Sequence, residues 1–331
     1  MVNKIIYYTF ISSFLFASIL FAKEPIQMRT QVIMGTFVSI SLTKKDAHHI
    51  DRGFELLREI ENSLSTYNPI ASLSLLNSSH IIPKDSYLEE ALLLSKEYHI
   101  QTNGYFDHTI GSISKKLYHF GEDKVYTPSP KQLKEATLNV YGIDINSTHI
   151  RSDENITIDL GGMGKGYGVD RVALYFEEQN ITEAIIALSG DIRCLDICEI
   201  YLQSPYDETL FAKVVSKIPK LSISTSGTYR RYAKTKEQHH LINPKTVSQG
   251  RNFISVSLFS ADNNSRLDAF ATAISVMPKA KALSFLSNHK EIGFVLIDSL
   301  GEILDGNLIG LVQLEYLNNS KERPKPSLIV E

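Results

Sequence analysis

Five glycines within eight positions, Gly161, Gly162, Gly164, Gly166 and Gly168, limit this chain more than any other feature. A β-branched run, Ile156-Thr157-Ile158, feeds them, and an amphipathic stretch through Val172, Leu174, Tyr175 and Phe176 follows. The pattern predicts a strand-like segment, a tight loop and a helix. Glycine at that density lets the main chain approach a ligand or another element without a Cβ in the way. Ahead of a helix N-terminus, with Lys165 inside it, the loop suits a phosphate held by N–H groups, helix dipole and one cation. A turn used only for close packing is the alternative. Two familiar phosphate motifs are excluded. Gly164-Lys165 is followed by Gly166, and Asp159 stands where a Walker A loop needs glycine. The G-x-G-x-x-G spacing fails at Tyr167 and at Val169.

The chain has 331 residues, 43% of them hydrophobic, enough for a large core in one or two domains. A net charge of −3 offers no basic field, so no nucleic acid is expected as a partner. Lys4 precedes an apolar run from Ile5 to Ala22, which Lys23-Glu24-Pro25 ends. Residues 1–22 therefore read as a secretory signal peptide, with an uncleaved N-terminal anchor as the alternative, because the run nears the length of a membrane span. Cys194 and Cys198 flank Leu195-Asp196-Ile197. If those three residues turn a hairpin, the sulfurs meet at disulfide range, and an exported compartment permits the bond.

Residues 31–42 alternate as a strand interrupted at Met34-Gly35-Thr36, and glycine there marks a close approach. Asp46 is expected to cap a helix whose buried stripe is Ile50, Phe54, Leu57, Ile60 and Leu64. A turn from Ser65 to Pro69 holds Tyr67, and Asn77 follows. Ser86 with Glu89 forms a capping box for a helix that ends near Gly104. Tyr105-Phe106-Asp107 then sets a carboxylate beside aromatic rings, which suits a planar heterocycle or a plain turn. Residues 112–150 read as polar surface. Ala184–Ile192 reads as one strand ending in Ser189-Gly190-Asp191, and a later strand opens into a small-residue loop, Thr225-Ser226-Gly227. The expected domain covers 23–320, with 321–331 as a flexible tail containing Pro324 and Pro326.

Asp268 and Thr272 are four residues apart, so on a helix they share one face. A carboxylate and a hydroxyl presented together are hard ligands suited to Mg²⁺. The bland reading is an Asp near a helix start with Thr272 merely tolerated.

Together these pieces resemble the ApbE family of FAD:protein FMN transferases. The matches run in family order: Met34-Gly35-Thr36, Ser65-Thr66-Tyr67, Asn77, Gly104-Tyr105-Phe106-Asp107, and Asp159-Leu160-Gly161-Gly162 with Lys165-Gly166 and Asp170. Gly190-Asp191, Thr225-Ser226-Gly227, His240 with Pro244, and Asp268 with Thr272 complete them. The resemblance implies an α+β fold with an ApbE-like (T-fold-related) mixed sheet core, packed helices and a flavin cleft. It implies Mg²⁺-dependent transfer of FMN from FAD to a threonine hydroxyl of an exported or membrane-bound flavoprotein subunit, releasing AMP.

By position, the metal would fall on the carbonyl of Gly164 and the side chains of Asp268 and Thr272. FAD would fall on Met34, Tyr67, Asn77, Tyr105, Phe106, Asp107, Asp159, Gly161, Gly162, Lys165, Tyr167, Thr225, Ser226 and Gly227. His240 would be the catalytic base. The compartment implied is the periplasm, close to the inner membrane, and a homodimer stays open. Two rivals are a metal-dependent FAD pyrophosphatase and a non-catalytic periplasmic flavin-binding protein. The chain departs from the family pattern at Gly164, where Ala is common, and at Ser189, where Gly is. It departs again at His108, where Pro often stands, at Asn243, where Asp is usual, and at Val247, where Gly is usual. Asn243 removes a carboxylate expected beside His240.

Overall fold

The computed structural model describes residues 24–122, 124–229, 232–317 and 326–330, so the signal-peptide reading of residues 1–22 lies outside it. Its helices are α1 (Ile50–Leu64), α2 (Ser72–Ser79), α3 (Ser86–Gln101), α4 (Gly111–Ser114), α5 (Pro130–Glu135), α6 (Gly164–Glu178), α7 (Asn264–Val276) and α8 (Lys279–Asn288). None is long and apolar enough to cross a membrane among the described residues.

The main sheet runs across space in the order of the chain. Its strands are Ile26–Ile33, Thr36–Thr43, Ala184–Leu188, Asp191–Cys194, Leu221–Gly227, Phe253–Ser260, Gly293–Asp298, Ile303–Gly306 and Pro326–Val330. Neighbours pair antiparallel except the last two, which are parallel. Alternation sends Val256, Leu258, Phe294 and Leu296 toward α7 and α8. Phe259, Val295 and Ile297 face the other way, onto a small sheet of Glu199–Gln203, Leu210–Ser216 and Val312–Tyr316. The α+β class expected from the sequence is the one observed.

Helical periodicity located α1 well: Ile50, Phe54, Leu57, Ile60 and Leu64 are all buried. Its expected cap is not there, because Asp46 instead accepts from Thr43 Oγ1 at 2.9 Å and makes no cap bond. The cap of α3 is likewise one residue earlier than expected, Asp85 accepting from Leu88 N at 2.9 Å. The disulfide is present, Cys194 to Cys198, across Leu195-Asp196-Ile197.

Larger differences arise where left-handed residues reverse the chain. Met34 (φ 54°) and Gly35 (φ 68°) turn the interrupted strand into a hairpin, and Ser189 (φ 55°) with Gly190 does the same after Leu188. Conversely, Thr225-Ser226-Gly227 is not a loop. The strand continues through it, pairing Thr225 with Ser257 and Gly227 with Ser255. The stretch 112–150 is less superficial than its polarity suggests, since α4 is buried and Ile143–Ile145 and His149–Ser152 join Ile81–Pro83 in a sheet. Part of the expected tail, Pro326–Val330, adds a strand that pairs parallel with Ile303–Gly306.

One contact positions the site. A Cβ on Gly166 would lie 2.4 Å from Asn264 O, so α6 and α7 touch main chain to main chain there. Asp170, one turn along α6, accepts from Asn264 N and Ser265 N at 2.8 Å each and caps α7. Asn264 Nδ2 then bonds Ile192 O and Ile223 O at 2.9 Å, tying that corner to the sheet. Gly166→Ala is expected to destabilise the protein by about 1–3 kcal/mol through overpacking. Gly164→Ala, whose added Cβ would meet nothing nearer than Leu64 Cδ1 at 3.9 Å, should be near neutral. Urea midpoints of the two variants check the contrast.

Candidate active site

The loop before α6 is held from outside, not by a strand. Ile156-Thr157-Ile158 make only an isolated bridge, Ile110 to Thr157. Asn77 fixes them with both ends of its amide, donating to Ile158 O at 2.8 Å and accepting from Ile158 N at 2.7 Å. Asn77 therefore supports the loop from behind. Asp159 Oδ1 accepts from Gly161 N at 2.9 Å, and Oδ2 accepts from Ser114 Oγ at 2.8 Å. Burial opposes its charge, but Lys115, the Gly161 amide, Ser114 and His240 outweigh that and hold its carboxyl below the usual range.

Past the loop, Lys165 enters a buried acidic pair. Its Nζ lies 2.7 Å from Asp191 Oδ2 and 3.1 Å from Asp268 Oδ2. Gly166 N also donates to Asp268 Oδ2, at 3.2 Å, and Ser224 Oγ donates to Asp191 Oδ1 at 2.6 Å. Burial opposes the ammonium, yet the two carboxylates hold Lys165 above its ordinary range. Burial and the neighbouring Asp268 push Asp191 upward against the pull of Lys165.

One turn along α7, Thr272 Oγ1 donates to Gly162 O at 3.3 Å. The acidic and hydroxyl groups of α7 share one face, as the four-residue spacing predicts, and both meet the glycine loop. A Cβ on Gly162 would lie 3.1 Å from Thr272 Oγ1 and 3.3 Å from the Phe106 ring. The Met34 methyl reaches the same loop, 4.0 Å from where Gly164 would carry a Cβ.

The aromatic side is more enclosed than the sequence suggests. Tyr105 and Phe106 are buried, and Asp107 Oδ1 closes a turn by accepting from Thr109 N at 2.7 Å and Thr109 Oγ1 at 2.6 Å. Burial raises the Asp107 carboxyl against those bonds. Tyr67 is half exposed. His239 is buried on Gly250 O at 2.8 Å, while His240 is partly exposed and its charge favours the Asp159 carboxylate. Asn243 donates to Val276 O and accepts from Lys245 N, both at 2.9 Å, so its amide holds a turn.

One assignment changes, and one segment takes another backbone shape. Tyr167 turns from the loop: its ring is 1% exposed and its hydroxyl donates to Glu90 Oε2 at 2.6 Å, because α6 presents that face to α3. The Thr225-Ser226-Gly227 segment sits in a strand, with Thr225 Oγ1 2.9 Å from Ser257 Oγ. Two residues outside the expected ligand set contact members of it: Asp191 on Lys165, signalled by the Gly-Asp pair after the tight turn, and Lys115 on Tyr67 and Asp159, for which the sequence carries no signal.

Among the described residues no three His, Cys, Asp or Glu side chains gather as a metal site. The donor set nevertheless suits a hard dication. The carboxyl groups of Asp191 and Asp268 flank one ammonium, and Thr272 and the Gly162 carbonyl add neutral oxygens.

The ApbE family model matches residues 34–296. A FAD:protein FMN transferase of Escherichia coli K12 is 28% identical over 280 residues, covering 75% of this chain and 78% of that one. One from Treponema pallidum is 24% identical over 311 residues, covering 81% and 83%. In structure, the flavin transferase ApbE from Vibrio cholerae superposes with TM-score 0.70 at 20% identity, over 89% of this chain and 98% of that one. The ApbE protein of Thermotoga maritima gives 0.74 at 19%, over 85% and 97%. At such identities these likenesses concern the fold.

Lys165→Met should cost about 3–5 kcal/mol, since it strands two buried carboxylates, and calorimetry would register the loss. His108, at the family's proline position, is buried with Nδ1 3.0 Å from Ser95 Oγ, and burial pushes its pKa down to about 3 from 6.5. The unfolded chain therefore binds the proton more readily, and stability falls as pH drops below about 6.5. Roughly 2 kcal/mol should go between pH 7 and pH 5. His108→Gln should lose that part of the pH dependence in urea melts.

Proposed function

Because the chain belongs to the ApbE family, we propose that it transfers FMN from FAD to a threonine hydroxyl of an acceptor protein, releasing AMP. The single observation carrying this reading is the meeting of Asp268 and Thr272 with the glycine loop, beside Lys165. Splitting a pyrophosphate demands that negative charge on its oxygens be neutralised where it develops. The loop amides and the Lys165 ammonium supply fixed positive potential, with the Phe106 ring beside Gly162 and the Met34 methyl beside Gly164. Asp268, Thr272 and the Gly164 carbonyl would hold Mg²⁺, which would add Lewis-acid neutralisation of the diphosphate.

His240 takes the proton of the acceptor hydroxyl. As that oxygen bonds the FMN phosphorus, the bond from phosphorus to the AMP oxygen breaks, and AMP leaves with the electron pair. Imidazole titrates near neutrality, which suits this exchange. We also place the enzyme outside the cytoplasm, facing a membrane-bound or exported acceptor. The Cys194–Cys198 bond and the apolar run before residue 23 support that placement.

The protein mixed with FAD, Mg²⁺ and a threonine-bearing acceptor should yield an in-gel fluorescent acceptor and one AMP per flavin. Chelator should suppress the signal. His240→Ala should lower transfer by about 10²–10⁴-fold with FAD still bound. AMP released without labelled acceptor would mean hydrolysis instead, and near-normal transfer by His240→Ala would remove the histidine from the mechanism.

A further inference from the structure

Lys115 has no part in the chemistry above, yet it joins two side chains assigned to the flavin. Its ammonium lies 2.5 Å from the Tyr67 hydroxyl, 3.2 Å from Phe120 O and 3.8 Å from Asp159 Oδ2. It also sits 4.0 Å from the centre of the Tyr67 ring. Only 13% of the side chain is exposed, although the Tyr67 it holds is 50% exposed. The tyrosine hydroxyl donates onward to Phe120 O at 3.2 Å, and a Cβ on Gly121 would run into that ring. A tyrosine half in solvent is thus locked by a lysine that is largely out of it.

We propose that Lys115 is a positioning residue of the flavin cleft, fixing the Tyr67 ring and the Asp159 carboxylate relative to the glycine loop before a flavin dinucleotide arrives. This rests on the transferase reading. Burying an ammonium is unfavourable unless it is well paired. Here one cation serves an aromatic face, a phenol oxygen, a carbonyl and a carboxylate at once, which orders groups from three separate chain segments. Pre-ordering lowers what binding must spend on fixing side chains, so its loss appears in affinity. Because His240 and the Lys165 cluster remain in place, the turnover of bound substrate depends on it far less.

The test uses the full chain and its Lys115→Met and Lys115→Arg variants. FAD binding is read without acceptor by flavin fluorescence, and transfer kinetics and thermal melting are measured alongside. Lys115→Met should bind FAD about tenfold more weakly and raise KM for FAD to match, with kcat within about twofold. Lys115→Arg should recover most of the affinity, since a guanidinium can still reach the phenol and the carboxylate. Unchanged FAD affinity in folded Lys115→Met overturns the proposal, as does a fall in kcat at constant KM. Should Lys115→Met not fold, Tyr67→Phe decides. Removing only the gripped hydroxyl should weaken FAD binding several-fold, and wild-type affinity there overturns the proposal. A wild-type protein that neither binds FAD nor labels an acceptor would fail the transferase reading instead.

Discussion

The close crossing of α6 and α7 at Gly166 is the constraint on which the site depends. With no side chain at that position, Asn264 O meets the α6 backbone directly, and Asp170 caps the second helix from the first. Those contacts set how far α7 projects along the glycine loop. They therefore set where Asp268 and Thr272 stand, a turn apart, against Gly166 N and Gly162 O. The packing role and the ligand role of the glycine-rich stretch are not rivals here. Gly166 packs a helix, while Gly162 lies beside Thr272 and Phe106, and a Cβ on Gly164 would meet nothing nearer than 3.9 Å.

Electrostatics acts within that frame. Two carboxylates brought into the interior by different strands and helices would repel, and Lys165 between them makes the arrangement tolerable. What remains is a fixed, partly neutralised pocket of oxygens at a helix start. Such an arrangement requires little reorganisation when a charged substrate arrives, which is the source of most enzymatic charge stabilisation. Outside the pocket a second ion pair, Lys115 with Asp159, arranges the aromatic side. The two lysines do different work: Lys165 is bound to the acidic centre, and Lys115 to the ring that faces solvent.

Much of this was legible from residue order. The buried stripe of α1, the shared face of Asp268 and Thr272 and the disulfide across three residues all follow from local period or spacing. What local pattern missed shares a cause. Asn77 braces Ile158, and Tyr167 looks like part of the loop and lies in the core on Glu90. In each case a partner about 80 residues away decides the role, and no local pattern encodes it. Met34-Gly35 and Ser189-Gly190 show the reverse error, since alternation continues on both sides of a turn and hides the reversal.

By itself the sequence determined the class of fold, the family and the shared helix face of Asp268 and Thr272. It did so because periodicity and side-chain chemistry are properties of neighbouring residues. Only the tertiary structure decided that Lys165 is shared between Asp191 and Asp268, that Asn243 closes a turn, and that Lys115 reaches Tyr67 and Asp159. Burial and pairing depend on which distant segments a packed core brings together. A charged side chain in the chain acquires its function only when that packing sets its neighbours.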